Sequence, residues 1–152
     1  MLRISKNASV TISLIMTGVF FAVLLFCLFI MPGFVRLILP VSPRAVTALD
    51  QALITAAGYC VLALAMLADY LLFRLLLLVR AGGVFTSRSV ALIRGVSWCA
   101  IGVSLLFLFV SRYFLIALAL AFTAVLLGLC LRVVKNVIEE ATAIKAENDL
   151  TV

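Results

Sequence analysis

The chain has 152 residues, 67% hydrophobic and only 12% charged, with a mean hydropathy of +1.39. A soluble fold of this size leaves about a third of its unfolded-chain surface in water, so a water-soluble globule is excluded and lipid must solvate much of the chain. The net charge of +6 is carried by dispersed Lys and Arg, which reads as loop charge bias and not as a nucleic-acid surface, and the lack of any histidine removes His-ligated haem, most zinc catalysis and the usual general base.

The first apolar run, residues 10–31, is too long for a signal peptide and no small-residue cleavage site follows it, so it is predicted to be an uncleaved first span. Pro32-Gly33 is expected to stop it. Ser42-Pro43 resembles an N-cap followed by proline at the first helical position. From there an apolar run, broken only by Asp50, Gln51, Asp69 and Arg74, continues to Val79 and places the second span at about 53–78. The polar segment Arg80-Ala81-Gly82-Gly83-Val84-Phe85-Thr86-Ser87-Arg88 follows. Its tandem glycines permit a sharp reversal, and Thr86 or Ser87 can cap the next helix. Residues 60–110 therefore read as a membrane hairpin. The third span is placed at 95–110, Ser111-Arg112-Tyr113 is a tight turn, and the fourth span covers 114–134. Beyond it Val134, Val137, Ile138, Ala141 and Ile144 recur at helical spacing, an amphipathic extension. Asn148-Asp149 reads as a helix stop, with Leu150 and Val152 alternating as in an extended segment.

The expected fold is therefore all-α, one membrane domain over residues 1–152. Four transmembrane helices form two antiparallel hairpins, followed by a C-terminal amphipathic extension. Nine Lys and Arg fall on or near one membrane face (Arg3, Lys6, Arg74, Arg80, Arg88, Arg94, Arg132, Lys135, Lys145), against Arg36, Arg44 and Arg112 on the other. The positive-inside bias puts both termini, residues 80–88 and the tail 135–152 in the cytoplasm.

Four-residue spacing of small side chains marks Ala52-Ala56-Cys60, Gly95-Cys99 and Ala117-Ala121 for close helix approach. Cys27, Cys60, Cys99 and Cys130 lie in apolar runs without CxxC spacing and read as reduced, buried residues; no disulfide, metal site or cofactor is expected. Asp69 is the one carboxylate well inside a span, about 15 Å from its end. Pairing the spans by depth sets it opposite Trp98, beside Ser97, with Arg94 one turn shallower. Asp69, Arg94, Ser97 and Trp98 are expected to form an intramembrane polar packing set.

Gly83-Val84-Phe85-Thr86 followed by Val90, Leu92, Ile93, Arg94, Gly95, Val96 and Trp98, together with the terminus Glu147-Asn148-Asp149-Leu150-Thr151-Val152, resembles the signatures of the membrane family catalogued as domain of unknown function 2975. Val96-Ser97-Trp98 stands where that pattern has an adjacent Gly-Trp. The resemblance spans essentially the whole chain and implies a bacterial inner-membrane protein. It also implies a genetic association with a small helix-turn-helix DNA-binding regulator, and so a membrane protein that holds or antagonises a cytoplasmic transcription factor. On this reading Gly82, Gly83, Phe85, Thr86 and Arg88 form a partner-binding loop. Glu147, Asn148, Asp149, Leu150, Thr151 and Val152 form a partner-binding tail, and no catalytic residue is assigned. Two alternatives are a small oligomeric transporter or channel using Asp69, and an immunity or membrane-stress protein. No enzymatic activity is expected, because without histidine no Ser/His/Asp or Cys/His set exists, no Gly-rich phosphate loop follows a strand, and the adjacent Glu139-Glu140 point to different sides of a helix and read as solvated face.

Overall fold

An apolar segment in hydrocarbon must satisfy its backbone hydrogen bonds internally, and the helix does this within one segment. The computed structural model describes the backbone of residues 6–83 and 85–150, and the side chains of 9–83 and 85–147. Its elements are α1 (Lys6–Ile38), a 3-10 turn (Leu39–Val41), α2 (Ala48–Arg80), α3 (Ser87–Val110) and α4 (Leu115–Leu150). All four α-helices are long and apolar enough to cross a membrane. With a rise of about 1.5 Å per residue, the 24 residues of α3 span about 36 Å, close to a bilayer core of about 30 Å. The 33 residues of α1 and α2 and the 36 of α4 reach beyond it.

Each helix packs on its neighbour in the chain: α1 on α2, α2 on α3, α3 on α4. Leu71 covers Gly95 and Leu64 covers Gly102, with leucine methyls 2.7 and 3.0 Å from where a Cβ would stand, so α2 and α3 run antiparallel in close contact. The α3–α4 seam is also hydrogen-bonded. Ser97 Oγ donates to the Gly128 carbonyl at 2.8 Å, and Ser104 Oγ donates to the Ala121 carbonyl at 2.9 Å. Donors and acceptors are each seven residues apart, so the two bonds are rungs two turns apart on one face. Ala117, Ala121 and Ala124 are buried along the same seam, where small side chains let the helices approach.

Two of the three small-residue series thus lie at helix contacts. The third does not: Ala52, Ala56 and Cys60 are exposed, because α2 turns Ile54 and Ala57 inward instead. Cys99 is buried and Cys27 half-buried, but Cys60 and Cys130 lie exposed on the helix surface, so burial in protein holds for only part of the cysteine set. All four are free thiols.

Three boundary expectations are corrected. α1 does not stop at Pro32 but continues to Ile38. The hydrogen bond lost at proline is outweighed by packing, since Val35 is fully buried against Ile54, Tyr113, Phe114 and Ala117. Ser42 is not the cap of α2. Thr47 is: its hydroxyl accepts from the Asp50 amide, the Asp50 carboxylate accepts from the Thr47 amide, and the two form a capping box. Ser42 Oγ donates instead to the Tyr113 carbonyl at 3.2 Å. Asn148-Asp149 does not stop α4, which remains helical to Leu150 and so also replaces the extended conformation expected there.

Tyr113 ties this end of the array together. Its hydroxyl donates to Asp50 Oδ1 at 2.6 Å, joining the α3–α4 turn to the start of α2. Asp50 lies in the first turn of α2, before the segment 53–78 that is expected to span the bilayer. The bond from Tyr113, followed by those from the Thr47 hydroxyl and amide, lowers its pKa from 3.8 to about 2. The same bond raises the Tyr113 phenol above its ordinary value.

Candidate functional site

The opposite end of the array carries the α2–α3 loop. Its geometry follows from its residue types. Gly83 N–H donates to the Leu78 carbonyl and Gly82 N–H to the Val79 carbonyl, both at 3.0 Å, which is the paired closure of a Schellman motif. Gly82 has φ +80°, the left-handed conformation that this closure requires and that glycine supplies without strain. Thr86 then caps α3 by accepting from the Ser89 amide. The Gly83 carbonyl accepts from both the Thr86 hydroxyl (3.1 Å) and the buried Ser89 hydroxyl (2.9 Å). The loop is thereby locked at both ends by its own residues. Phe85 and Arg88 project from it, both exposed. Gly82, Gly83 and Thr86 therefore build the loop, while Phe85 and Arg88 are what it presents.

α4 approaches this end from the other side of α3. It runs unbroken past residue 134, so residues 135–150 add about 24 Å of helix. Lys135, Ile138, Ala141 and Thr142 form its half-buried edge, while Val133, Val134, Val137 and Ile144 are exposed. The expected apolar stripe therefore straddles two faces. Ile138 and Ala141 turn inward; Val134, Val137 and Ile144 stay open. In the tail, Glu147 is exposed, Asn148, Asp149 and Leu150 continue the helix in their backbone, and Thr151 and Val152 lie outside the described residues.

The four residues expected to form one intramembrane polar set divide: Arg94 and Trp98 line one cavity, while Asp69 and Ser97 point elsewhere. Pairing by depth leaves the rotation of α3 about its axis open. Ser97 points into α4. Trp98 is 57% exposed and lies under the Arg132 guanidinium, 4.8 Å from the ring centroid. Arg94 pairs with Glu139 at 3.7 Å. Asp69 faces α1, where it is buried beside a cavity of about 260 Å³ lined by Thr17, Gly18, Phe21, Tyr70 and Phe73. Thr17 donates its hydroxyl to Leu14 on its own helix, and Tyr70 accepts from Arg74 at 2.9 Å. Among the described residues Asp69 has no hydrogen-bond partner.

The cluster that does assemble keeps Arg94 and Trp98 of the expected set and adds α4 residues that were not expected there. Arg94 and Trp98 from α3, with Arg132, Lys135 and Asn136 from α4, line an open cavity of about 370 Å³. Lys135 Nζ donates to Glu139 and to Asn136 Oδ1, the latter at 3.2 Å. The bond from Lys135 to Glu139, aided by the charges of Lys135 and Arg94, holds the Glu139 carboxyl below the ordinary carboxylate range. The signal in sequence was Arg132, Lys135, Asn136 and Glu139 at helical spacing, one turn apart on one face.

Four apolar spanning helices define a multi-pass membrane protein. Residues 32–152 match the model of the family described as Protein of unknown function (DUF2975), and the chain belongs to that family. The match starts at Pro32, so most of α1 lies outside it, a narrower reach than the sequence resemblance indicated. No curated protein and no solved structure matches the chain.

Proposed function

We propose that this chain is a non-enzymatic docking protein of the cytoplasmic (inner) membrane, with both termini, residues 80–88 and the α4 extension on the cytoplasmic face. The observation that carries this reading is the exposed apolar pair Val137 and Ile144 on the part of α4 that continues past the fourth span, 114–134. An amphipathic helix of this length is marginal alone in water. Here it is continuous with a membrane span and steadied along one edge by α3, which leaves the other edge open for helix-in-groove recognition. Phe85 and Arg88 on the locked loop extend the same face. A small helix-turn-helix regulator is the partner class that the family resemblance implies.

The test is co-purification of the tagged, full-length protein from crosslinked membranes. A cytoplasmic protein is expected to be recovered with the wild type and lost both with V137E/I144E and on deleting residues 147–152. Recovery that is unchanged by V137E/I144E would refute docking on this pair.

A second reading rests on Asp69, a buried carboxyl that faces a cavity and has no hydrogen-bond partner among the described residues. Such a group inside a span costs about 2.5–3.5 kcal/mol on insertion scales and often marks an ion path. If Asp69 conducts protons, D69N abolishes proton flux into liposomes loaded with a pH dye. Equal flux in wild type and D69N leaves it a packing residue.

A further inference from the structure

The Arg94–Trp98–Arg132–Lys135–Asn136 cavity has the chemistry of a phosphate site, and its place in the bilayer indicates whose phosphate. Counting from the α3–α4 turn, Arg94 and Arg132 lie about 24 and 26 Å along their helices, and Trp98 about 18 Å. With a hydrocarbon core of about 30 Å, the Cα atoms of Arg94 and Arg132 are level with one another about 4–6 Å below the far boundary, a distance that an arginine side chain spans, and Trp98 lies about one turn deeper. Lipid phosphates lie just outside that boundary, within reach of the two guanidiniums and of Lys135, about 30 Å along α4.

Three cations converge there against one carboxylate, Glu139. Glu139 engages Lys135 and Arg94, and so positions them. Arg132 has no carboxylate or hydrogen-bond partner among the described residues; only the Trp98 face holds its plane. The Trp98 indole N–H is likewise unused among the described residues. The lining thus offers guanidinium, ammonium, amide and indole N–H donors. A glycerophospholipid phosphodiester is an acceptor of matching kind, its charge met by the excess of positive charge that three cations leave over one carboxylate. Its acyl chains would run down the exposed apolar surface below, past Leu105 and Leu129.

We propose that this cavity binds the phosphate headgroup of an anionic phospholipid at the loop-end membrane interface. The inference rests on the four helices crossing a bilayer and is independent of the docking pair.

Trp98 is the one tryptophan of the chain and reports the site directly. The wild type is reconstituted into phosphatidylcholine nanodiscs with stepped fractions of phosphatidylglycerol, and Trp98 emission is followed. A saturable change is expected. A basic residue near a charged membrane contributes about fivefold in affinity, so K135Q shifts the midpoint about fivefold upward, and R94Q/K135Q does not saturate. R80Q/R88Q removes two cations from the same end but outside the cavity, and leaves the midpoint within about twofold. Inorganic phosphate and glycerol 3-phosphate at millimolar concentration leave emission in phosphatidylcholine discs unchanged.

Equal midpoints for wild type and K135Q would overturn the site. So would an equal shift in R80Q/R88Q, which would mean general surface attraction. A saturable response to inorganic phosphate would assign the cavity to a free anion and overturn the lipid. If R94Q/K135Q fails to reconstitute, K135Q decides.

Discussion

The α3–α4 seam permits a quantitative test. Ser97→Ala with Ser104→Ala deletes two buried interhelical hydrogen bonds of 2.8 and 2.9 Å while removing only one oxygen at each site. The accepting carbonyls of Gly128 and Ala121 stay within helical backbone, so no charged or strongly polar orphan is created. Interhelical hydrogen bonds in membranes average about 0.6 kcal/mol. The double variant should therefore lose about 1.2 kcal/mol, a change of roughly eightfold in the unfolding constant. Gly128→Leu is the steric counterpart. A Cβ at Gly128 stands 3.2 Å from Ile101 Cγ1 and 3.4 Å from the Ser97 carbonyl oxygen, so the larger side chain forces the helices apart at a cost of about 1–3 kcal/mol. Reversible unfolding in mixed lipid–detergent micelles of increasing SDS fraction, followed by Trp98 emission, measures both. A double-serine loss below about 0.3 kcal/mol would refute the two rungs as part of what holds α4 on α3.

Three further outcomes follow from the caps and ties. Thr86→Ala removes the α3 cap and one of the two hydroxyls on the Gly83 carbonyl, for a loss of about 1 kcal/mol. Hydrogen exchange at the Ser89 and Val90 amides should quicken, and Thr86→Ser should restore it. Gly82→Ala forces a Cβ into φ +80°, and should cost about 1–2 kcal/mol; equal stability would mean that the loop does not need its left-handed residue. Asp50 has a folded-state pKa of about 2 against an ordinary 3.8, so its contribution is present above pH 3.8 and lost as pH falls toward 2. Tyr113→Phe removes the largest cause of that depression and should raise the Asp50 carboxyl resonance midpoint toward 3.8, whereas an unchanged midpoint would contradict the tie.

Much of this arrangement was legible in the chain because local chemistry dictates it. Gly82-Gly83 and Thr86 specify a reversal and a cap from their own backbone preferences, and the structure uses each as expected. Thr47-Ala48-Leu49-Asp50 spelled a capping box as plainly, but Asp50 reads as a flaw in an apolar run if only span hydropathy is weighed. Pro32 misled for a different reason. Its local preference ends a helix, and only the distant burial of Val35 against Tyr113 and Phe114 reverses that. The polar set failed on rotation. In lipid both faces of a helix are apolar, so hydropathy fixes the depth of Asp69 and Trp98 but not the direction in which they point. That direction comes from the Ser97 and Ser104 rungs, which turn Trp98 outward onto Arg132. The lipid-facing Ala52-Ala56-Cys60 series shows the same degeneracy, since small residues serve equally at a contact and in hydrocarbon.

The central claim is that the locked loop and the exposed apolar pair of α4 share the cytoplasmic face. Phe85→Cys, Val137→Cys and Thr47→Cys, each placed singly in a chain whose four native cysteines are alanine, measure this with a membrane-impermeant maleimide on sealed cells. The account predicts labelling of Thr47→Cys from outside, with Phe85→Cys and Val137→Cys labelled only after the cells are opened. Labelling of Phe85→Cys or Val137→Cys on sealed cells would contradict it.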